Sequence, residues 1–352
     1  MKILIAADME GITGVVHWDH VDHKNKEYGR FRKLMTDDVN AAIRGAFDGG
    51  ASEVVVADGH GTARNILVEV LDPRSRLNSG SPSPLAMTQG VQTGVDAALF
   101  IGYHAKVGTE NAILDHTWSG AVANVWLNGR VVGEIGVNAA VCGHFGAPVI
   151  MISGDQSACA EARELLGVIE TAQVKQATGR MAAECLPPAV SQVRIYEAAQ
   201  RAASRFAAGQ AAEPFRNDTP VTMALELVTS EMADKAMLIP GARRSGGKRV
   251  EVTADDVPTA YRAMRAAVSK VGALLRSSTT PPAPIAPAKV VRLRLTKVCS
   301  YPTNQPERTL MSAKSSRSTI HAPKSRPRGE MRRKYCMFEK YLPSVCSPCD
   351  SS

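Results

Sequence analysis

Three short, uninterrupted apolar runs, each ending at a polar cluster, constrain the fold of this chain most. They are residues 3–7, 53–57 and 97–102. Aliphatic runs of this length predict strands that are buried on both faces, which is typical of a parallel sheet. A fourth run, residues 148–153, leads directly into a helical pattern over 156–166. The sequence therefore predicts an α/β protein with a mostly parallel sheet flanked by helices.

The segments between these runs support that fold class. Residues 31–47 carry apolar side chains at helical spacing and stop at a Gly-Gly pair, as a helix that links two parallel strands would. Asn128-Gly129 lies between two apolar segments and predicts a β-hairpin. A further helix is expected over residues 136–145.

The chain changes character after Pro187-Pro188. An Ala- and Arg-rich helical stretch covers 190–207 and is followed by an alternating pattern of strand, helix, strand and helix. These four elements are expected at residues 221–227, 230–239, 249–253 and 257–275. They predict a second, smaller α/β domain with the order βαβα.

Charge separates the last part of the chain from the rest. Of the 42 Lys and Arg and 34 Asp and Glu residues, 14 and 4 fall in residues 277–352, which leaves a net charge of about −2 on residues 1–276. The segment also opens with a Pro-rich stretch and lacks sustained periodicity, so we expect a linker and a disordered basic tail. No nucleic-acid-binding module is recognisable there, and weak non-specific attraction is the better interpretation.

Four side chains that commonly bind metals follow the ends of the predicted strands. They are Asp8, Glu10, His60 and His104. Ligand sites in open α/β sheets form outside the carboxyl ends of the strands, so these four are expected to converge on one crevice. Carboxylates and imidazoles together suit zinc, manganese or iron. His116 and Glu134 are further candidates, although their positions alone are less informative.

Five segments resemble the zinc D-aminopeptidases, peptidase family M55, whose members have also been labelled dipeptide transport proteins. The segments are AADMEGITG, VVVADGHGTARN, LFIGYHA, DHTWSG and VVGEIGVNA, which surround Asp8, His60, His104, His116 and Glu134. They occur in the order and at the spacing of that family, and the resemblance runs from Met1 to about Arg276.

The resemblance implies two zinc ions per subunit. It implies that the metal ligands are Asp8, Glu10, His60, His104 and Glu134, with Asp8 bridging the two ions. The family's proposed nucleophile falls on His116, whereas imidazole chemistry suits either direct attack or proton transfer, of which proton transfer is the commoner role. The resemblance also implies a homo-oligomer, a ring of ten subunits whose active sites face an inner cavity.

We therefore predict a metallo-aminopeptidase that removes the N-terminal residue, in the D configuration, from short peptides. One alternative is another metal-dependent amidohydrolase of small amides, and a second is a non-catalytic dipeptide-binding protein. The D preference rests on the resemblance alone. No apolar run reaches the roughly 18 residues of a membrane span, and the N-terminus does not read as a secretory signal, so we expect a cytoplasmic protein.

Domain predictions follow from these patterns. Residues 1–188 are expected to form the metal-binding catalytic domain, 189–276 the smaller α/β domain, and 277–352 the linker and tail. Two other motifs are given structural interpretations. His17, His20 and His23 are expected in a solvated lid, and Cys346 and Cys349 lack the second ligand pair that a structural zinc requires.

Overall fold

The structure, a computed structural model, describes residues 1–277 and the side chains of residues 1–271. The strands are β1 (Lys2–Ala7), β2 (Glu53–Asp58), β3 (Ser75–Asn78), β4 (Ala97–Tyr103), β5 (Val122–Leu127), β6 (Arg130–Val131), β7 (Val149–Asp155), β8 (Glu170–Gly179), β9 (Ala182–Cys185), β10 (Val221–Leu227), β11 (Ala242–Arg244) and β12 (Arg249–Ala254). The helices are α1 (Trp18–Val21), α2 (Tyr28–Asp48), α3 (Glu134–His144), α4 (Gln156–Leu166), α5 (Pro188–Ala207), α6 (Ser230–Ala236) and α7 (Val257–Ser277).

A seven-stranded sheet forms the centre of the fold. Its order is β3-β2-β1-β4-β7-β8-β9. All neighbouring pairs are parallel except β8 and β9, which are antiparallel. The predicted α/β class is thus confirmed, and β1 and β4 lie side by side in the middle of the sheet. The strand ends that carry Asp8 and His104 are therefore neighbours.

The two faces of this sheet bury different residues because successive side chains of a strand point to opposite sides. Ile3 and Ile5 of β1 pack in a core with apolar residues of α2 and α5. Leu4 and Ala6 pack on the other face, in a core that includes residues of α3, α7 and the second sheet. Both cores are mainly aliphatic, as expected from a chain with 5% aromatic residues.

The second sheet has five strands in the order β11-β12-β10-β5-β6 and is antiparallel throughout. The predicted hairpin is present: Asn128 and Gly129 have φ of 47° and 83°, the left-handed conformation that a tight two-residue turn needs. The predicted strand–helix–strand–helix order is also present as β10, α6, β12 and α7.

Strand pairing and helix packing both cross the predicted boundary at residue 188. β5 pairs with β10, and α5 packs against α2 on the first sheet. The division of residues 1–276 into two domains stays a prediction, and any such division has to keep these pairings. The predicted linker and tail lie outside the described residues, except for Ser277, the last residue of α7.

Four strands were missed from the sequence, namely β3, β8, β9 and β11. β3, β8 and β11 are rich in polar residues, β9 has only four residues, and all four lie at or next to an edge of their sheet, where side chains meet solvent. No helix within the described residues is long and apolar enough to cross a membrane.

Candidate metal centre and active site

Three carboxylates and three imidazoles meet at the carboxyl ends of the central strands. Asp8 and Glu10 follow β1, His60 follows β2, and His104 follows β4. The last two members are Glu134, at the first position of α3, and His116, in the loop between β4 and β5. All six residues singled out from the sequence are therefore brought together.

Asp8 lies at the centre of the group. One carboxylate oxygen, Oδ1, is 3.5 Å from Nδ1 of His60, and the other, Oδ2, is 3.4 Å from Nε2 of His104. Glu10 adds a second carboxylate beside His60, with Oε2 3.1 Å from Nδ1. Because its two oxygens face two different imidazoles, Asp8 has the arrangement of a carboxylate shared between two sites.

Backbone carbonyls fix the orientation of the imidazoles. Nε2 of His60 lies 3.0 Å from the carbonyl oxygen of Val21, so a hydrogen on Nε2 donates there and the lone pair of Nδ1 faces the carboxylates. In His104 the roles are reversed. Nδ1 lies 2.9 Å from the carbonyl oxygen of Ala105, which leaves the lone pair of Nε2 directed at Asp8 and Glu134.

Two glycines allow the chain that carries Glu10 to pass tightly over the end of β4. The amide of Gly11 donates to the carbonyl of Gly102 at 2.7 Å. A Cβ atom on Gly11 would lie 2.0 Å from the carbonyl oxygen of Tyr103. Gly102 itself has a φ of 74°, and a Cβ there would lie 2.4 Å from the carbonyl oxygen of Asp8. Glycine is thus required at both positions if β1 and β4 are to deliver their ligands to one point.

A buried lysine stabilises the loop after β1 through its ammonium group. The ammonium group of Lys175, on β8, donates to the carbonyls of Glu10, Ile12 and Val15 at 2.6, 2.9 and 2.6 Å. The side chain is fully buried, and burial lowers its pKa to about 8. Lys175 therefore satisfies three carbonyls that would otherwise be left in the interior, and it fixes the position of Glu10.

A second local network shapes the loop that carries His60. The carboxylate of Asp58 accepts hydrogen bonds from the backbone amides of Asn65 and Ile66 at 2.6 and 2.9 Å. The side-chain amide of Asn65 donates both to Asp58 and to the carbonyl of His60, at 2.6 and 2.7 Å. His60 thus lies on a loop whose conformation is stabilised by hydrogen bonds between residues of the same loop.

His116 stacks on His104, with ring centroids 4.0 Å apart. Its Nδ1 lies 2.8 Å from the carbonyl oxygen of Leu114, so the lone pair of Nε2 is directed away from that carbonyl. That Nε2 is 3.8 Å from Oε1 of Glu134 and 4.0 Å from Oε1 of Glu10. His116 is therefore close enough to the carboxylates to bind a metal as well as to act on a substrate.

The loop around His116 is held by partners that are distant in the sequence. The guanidinium of Arg180 donates to Oδ1 and the backbone carbonyl of Asp115 at 2.6 and 2.7 Å. The amide of Trp118 donates to Oε1 of Glu134 at 2.8 Å. Leu114 and Trp118 have φ of 50° and 60°, a conformation that is costly for bulky residues. These contacts stabilise a strained backbone at the centre of the site.

The electrostatics of the group reflect the crowding of the carboxylates. Burial alone would lower the pKa of both His60 and His104, but Glu10, Glu134 and Asp8 raise it well above the usual value. Burial also opposes ionisation of Asp8, but His104 and His60 outweigh it and hold the pKa of that carboxyl well below its usual range. The three buried carboxylates are thus stable in their ionised form only beside positive charge, which protons on the imidazoles or metal cations can supply.

The arrangement of these carboxylates and imidazoles suits metal binding better than direct hydrogen bonding among the side chains. Oδ2 of Asp8 and Nε2 of His104 are both buried and have no hydrogen-bond partner among the described residues, although they are 3.4 Å apart. Two subsets have ligand atoms that all lie within 4.8 Å of one another. They are Asp8, Glu10 and His104, and His104, His116 and Glu134. Because Nδ1 of His104 is committed to the carbonyl of Ala105, His104 can bind one cation only, through Nε2. The carboxylate of Asp8, with one oxygen near His60 and the other near His104, is the group that two adjacent cations of the zinc type could share.

A cavity of about 330 Å³ opens directly above this group. Asp8, Glu10, His60, His116 and Glu134 lie in its wall. The other walls include Trp18, Trp118, Met87, Gly80, Ser81, Ser83 and Arg265. The volume is near the lower end of the roughly 300–1,000 Å³ of small-ligand sites, which suits a small molecule or a short peptide rather than a folded chain.

The histidines before α2 have local roles, and their assignment to a lid stays a prediction. His17 caps α1 through Nδ1, which accepts from the amide of Asp19 at 3.2 Å. His20 stacks on Phe31 with ring centroids 3.8 Å apart, and His23 is exposed beside Asp22. The Cys346 and Cys349 pair lies outside the described residues.

Sequence reasoning missed the residues that support the ligands. Lys175, Arg180 and Arg265 come from elements far along the chain, so no local spacing signals their role. Asp58 and Asn65 are different, because an Asp at a strand end followed by a Gly-rich turn and an Asn indicates a loop closed by side-chain hydrogen bonds. Asp58, the glycines after it and Asn65 form this pattern around His60, so the closed loop could have been predicted from the sequence.

Comparison with known proteins places these observations in a family context. The D-aminopeptidase family, peptidase M55, matches residues 1–266. A D-aminopeptidase of Bacillus subtilis (strain 168) is 37% identical over 265 residues, which cover 75% of this chain and 95% of that protein. The fold is similar to that of the zinc-dependent D-aminopeptidase DppA from Bacillus subtilis, described as a self-compartmentalizing protease. The TM-score is 0.74 at 34% identity, over 77% of this chain and 98% of the other.

Proposed function

This chain belongs to the D-aminopeptidase family of peptide-bond hydrolases, and on that premise we propose that it is a dinuclear zinc aminopeptidase. Its substrate is a short peptide, from which it removes an N-terminal residue in the D configuration. The observation that carries the proposal is the position of Asp8 beneath a small cavity, with one carboxylate oxygen near His60 and the other near His104.

The proposed ligands of two zinc ions per subunit are Asp8, Glu10, His60, His104 and Glu134. Asp8 is proposed as the bridge because its two oxygens face different imidazoles. Two zinc ions held by these residues would polarise a peptide carbonyl and make water a good nucleophile near neutral pH. This chemistry is what a peptide bond, a poor electrophile, requires.

The remaining steps belong to side chains of the chain itself. Nδ1 of His116 donates to the carbonyl of Leu114, which leaves Nε2 free to take or deliver a proton at the substrate. The same atom also suits direct attack on the carbonyl carbon, and both roles stay open. Trp18 lies edge-to-face on His116 at 5.3 Å and, with Trp118, lines the cavity, where both exclude water from the reacting bond.

Asp8, Glu10 and Glu134 line the cavity, and two bound zinc ions would more than balance their negative charge. The preference for an aminopeptidase over an amidohydrolase of neutral amides is therefore supported by the family match and not by the charge of the cavity.

Assembly into a ring of ten subunits, with the active sites facing an inner cavity, is also proposed. It is supported by the related enzyme DppA, which is described as self-compartmentalizing. The proposed location is the cytoplasm. Sedimentation of the purified full chain at a mass near ten subunits is the expected result, and a monomer would contradict the ring.

The function is tested by measuring zinc and hydrolysis on the same preparation of the full chain. We expect two zinc ions per subunit, cleavage of D-Ala-D-Ala, and at least about tenfold slower cleavage of L-Ala-L-Ala. Removal of zinc with a chelator should abolish activity, and added zinc should restore it.

Two outcomes would favour the alternatives. Equal cleavage of N-acetyl-D-Ala-D-Ala would indicate an amidohydrolase with no need for a free amine. Tight binding of the dipeptide by the zinc-loaded protein without any turnover would indicate a dipeptide-binding protein.

A further inference from the structure

We propose that Arg265 binds the C-terminal carboxylate of the substrate and so makes the enzyme selective for short peptides that end in a free carboxyl group. The proposal rests on the proposed aminopeptidase function and specifies the substrate class of the same site. It assigns a binding role to a residue of α7, an element that supplies none of the proposed metal ligands.

Arg265 is placed in the wall of the cavity that lies above the metal ligands. Among the described residues that line this cavity, it is the single Lys or Arg, whereas four of the others are Asp or Glu. Three of those four carboxylates are proposed zinc ligands, so bound zinc would neutralise them, and Arg265 is the one cationic side chain of the described lining that no metal ligand pairs with. A short peptide with a free C-terminal carboxylate carries the charge that matches this arginine.

The guanidinium is held in place but keeps most of its donors. Nη1 donates to the carbonyl of Ser83 at 2.7 Å and lies 3.4 Å from that of Pro84. The guanidinium carbon lies 5.5 Å from the ring centroid of Tyr261. A guanidinium has five N–H donors in a planar fork that matches a carboxylate, so the others can bind a ligand. The side chain is thus pre-organised, which lowers the entropy lost on binding.

No carboxylate of the described chain neutralises Arg265. Other arginines of this protein show the alternative, since Arg180 pairs with Asp115 and Arg244 pairs with Asp234. Within residues 1–271, Arg265 forms no ion pair within 4 Å. A half-buried guanidinium that contacts only neutral carbonyls and a ring is well suited to an anionic ligand that arrives from solution.

A purely structural role is the competing explanation. By bonding the carbonyls of Ser83 and Pro84, Arg265 also joins α7 to the 80–84 segment of the wall. Loss of this contact would disturb every substrate alike. Recognition of a carboxylate, in contrast, matters only for substrates that carry one. The charge of the substrate therefore separates the two explanations.

The experiment compares D-Ala-D-Ala with its C-terminal amide, which has the same scissile bond but lacks the negative charge. The zinc-loaded full chain is used, with Arg265→Met, Arg265→Lys, and Arg262→Met as a matched control. Arg262 lies on the same helix, is exposed, and donates to Thr259 without lining the cavity.

We expect the wild type to prefer the free acid by about tenfold or more in kcat/KM, mainly through KM, as for one charge-assisted hydrogen-bonded pair. Arg265→Met should raise KM for the acid by about the same factor and leave the amide unchanged. Arg265→Lys should retain part of the preference, and Arg262→Met all of it.

Three results would overturn the inference: equal use of acid and amide by the wild type, an unchanged preference in Arg265→Met, or an equal loss on both substrates. If the wild type cleaves neither substrate, the aminopeptidase function itself fails. Calorimetric titration with the acid and the amide then still tests Arg265, because binding of the acid must weaken selectively in Arg265→Met.

Discussion

An imidazole lone pair that faces a carboxylate in the protein interior repels it unless a cation lies between them. His104 and Asp8 are in this situation, since Nδ1 of the imidazole is already committed to the carbonyl of Ala105. At the scale of single residues, the orientation of hydrogen bonds thus says more about metal binding than the presence of His and Asp. These orientations set the predictions for individual side chains.

Asp8→Asn should lower the zinc content of the purified protein from about two ions per subunit to less than one. The substitution keeps the shape of the side chain but removes the charge that both proposed ions share. Metal analysis by mass spectrometry and dipeptide hydrolysis measure the effect. Asp234→Asn, an exposed change on α6, serves as the control. Full zinc content in Asp8→Asn would contradict the bridging role.

His116→Ala should keep the zinc content of the wild type while kcat falls by about 10²-fold or more, the usual effect of removing a positioned acid–base group. The structure makes this test sharper, because Nε2 of His116 is within 4 Å of two proposed ligands. Zinc lost together with activity would instead identify His116 as a ligand.

The matched control for His116 is His144→Ala, at the exposed C-terminal end of α3. Trapping experiments during turnover distinguish the two roles of His116 itself. A nucleophile should give a covalent acyl-imidazole adduct, whereas an acid–base group should give none.

At the scale of elements, the strand ends supply the ligands, but a distant strand fixes the loop between them. Lys175→Met on β8 should lower both zinc affinity and the melting temperature, although the residue touches neither metal nor substrate. Three buried carbonyls lose their donor, at a cost of about 1–3 kcal/mol for each one left unpaired. Zinc titration and thermal unfolding measure the effect.

The control for Lys175 is Lys33→Met, an exposed lysine on α2. If Lys175→Met bound zinc as tightly as the wild type, the prediction would be wrong, and Lys175 would not be needed to fix the conformation of the loop after β1.

Asp38 on α2 should make stability depend on pH. Burial raises its pKa to about 7, in spite of two hydrogen bonds from Thr13. In the unfolded chain the pKa is about 3.9, so between these values the native state holds the extra proton and stability falls as pH rises. From pH 5 to pH 7 we expect a loss of about 2 kcal/mol that is absent in Asp38→Asn.

Urea unfolding at both pH values measures this difference for the wild type and for Asp38→Asn. The control is Asp218→Asn, whose side chain is exposed. Equal pH dependence in the wild type and Asp38→Asn would show that Asp38 is ionised in the native state at pH 5.

The elements also show how far the sequence could be read. The apolar runs that become β1, β2 and β4 are visible because strands buried on both faces must be continuously apolar. Strand ends then indicate which polar residues meet. The pairing of β5 with β10 has no such signal, since it joins segments nearly a hundred residues apart. The roles of Lys175, Arg180 and Arg265 depend on the same kind of long-range packing and could not be predicted from spacing.

At the scale of the whole molecule, removal of residues 278–352 should leave zinc content and peptidase activity unchanged. The match to the family covers residues 1–266, and every proposed ligand and supporting residue lies within it. The truncated and full chains should therefore show the same kcat/KM and melting temperature. A truncated chain that is insoluble or inactive would show that the removed segment contributes to the folded unit.

The order of the site residues along the chain has a consequence for the protein during its own synthesis. A ribosome that has delivered α3 has already supplied Asp8, Glu10, His60, His104 and Glu134. Arg265 is made only with α7, the last described helix, after the strands of the second sheet, including β10 and its partner β5. The nascent chain thus carries its full set of candidate metal ligands long before it can enclose a peptide. The wall of the cavity is complete only once Arg265 has been added, when residues 266–352 are still to be made.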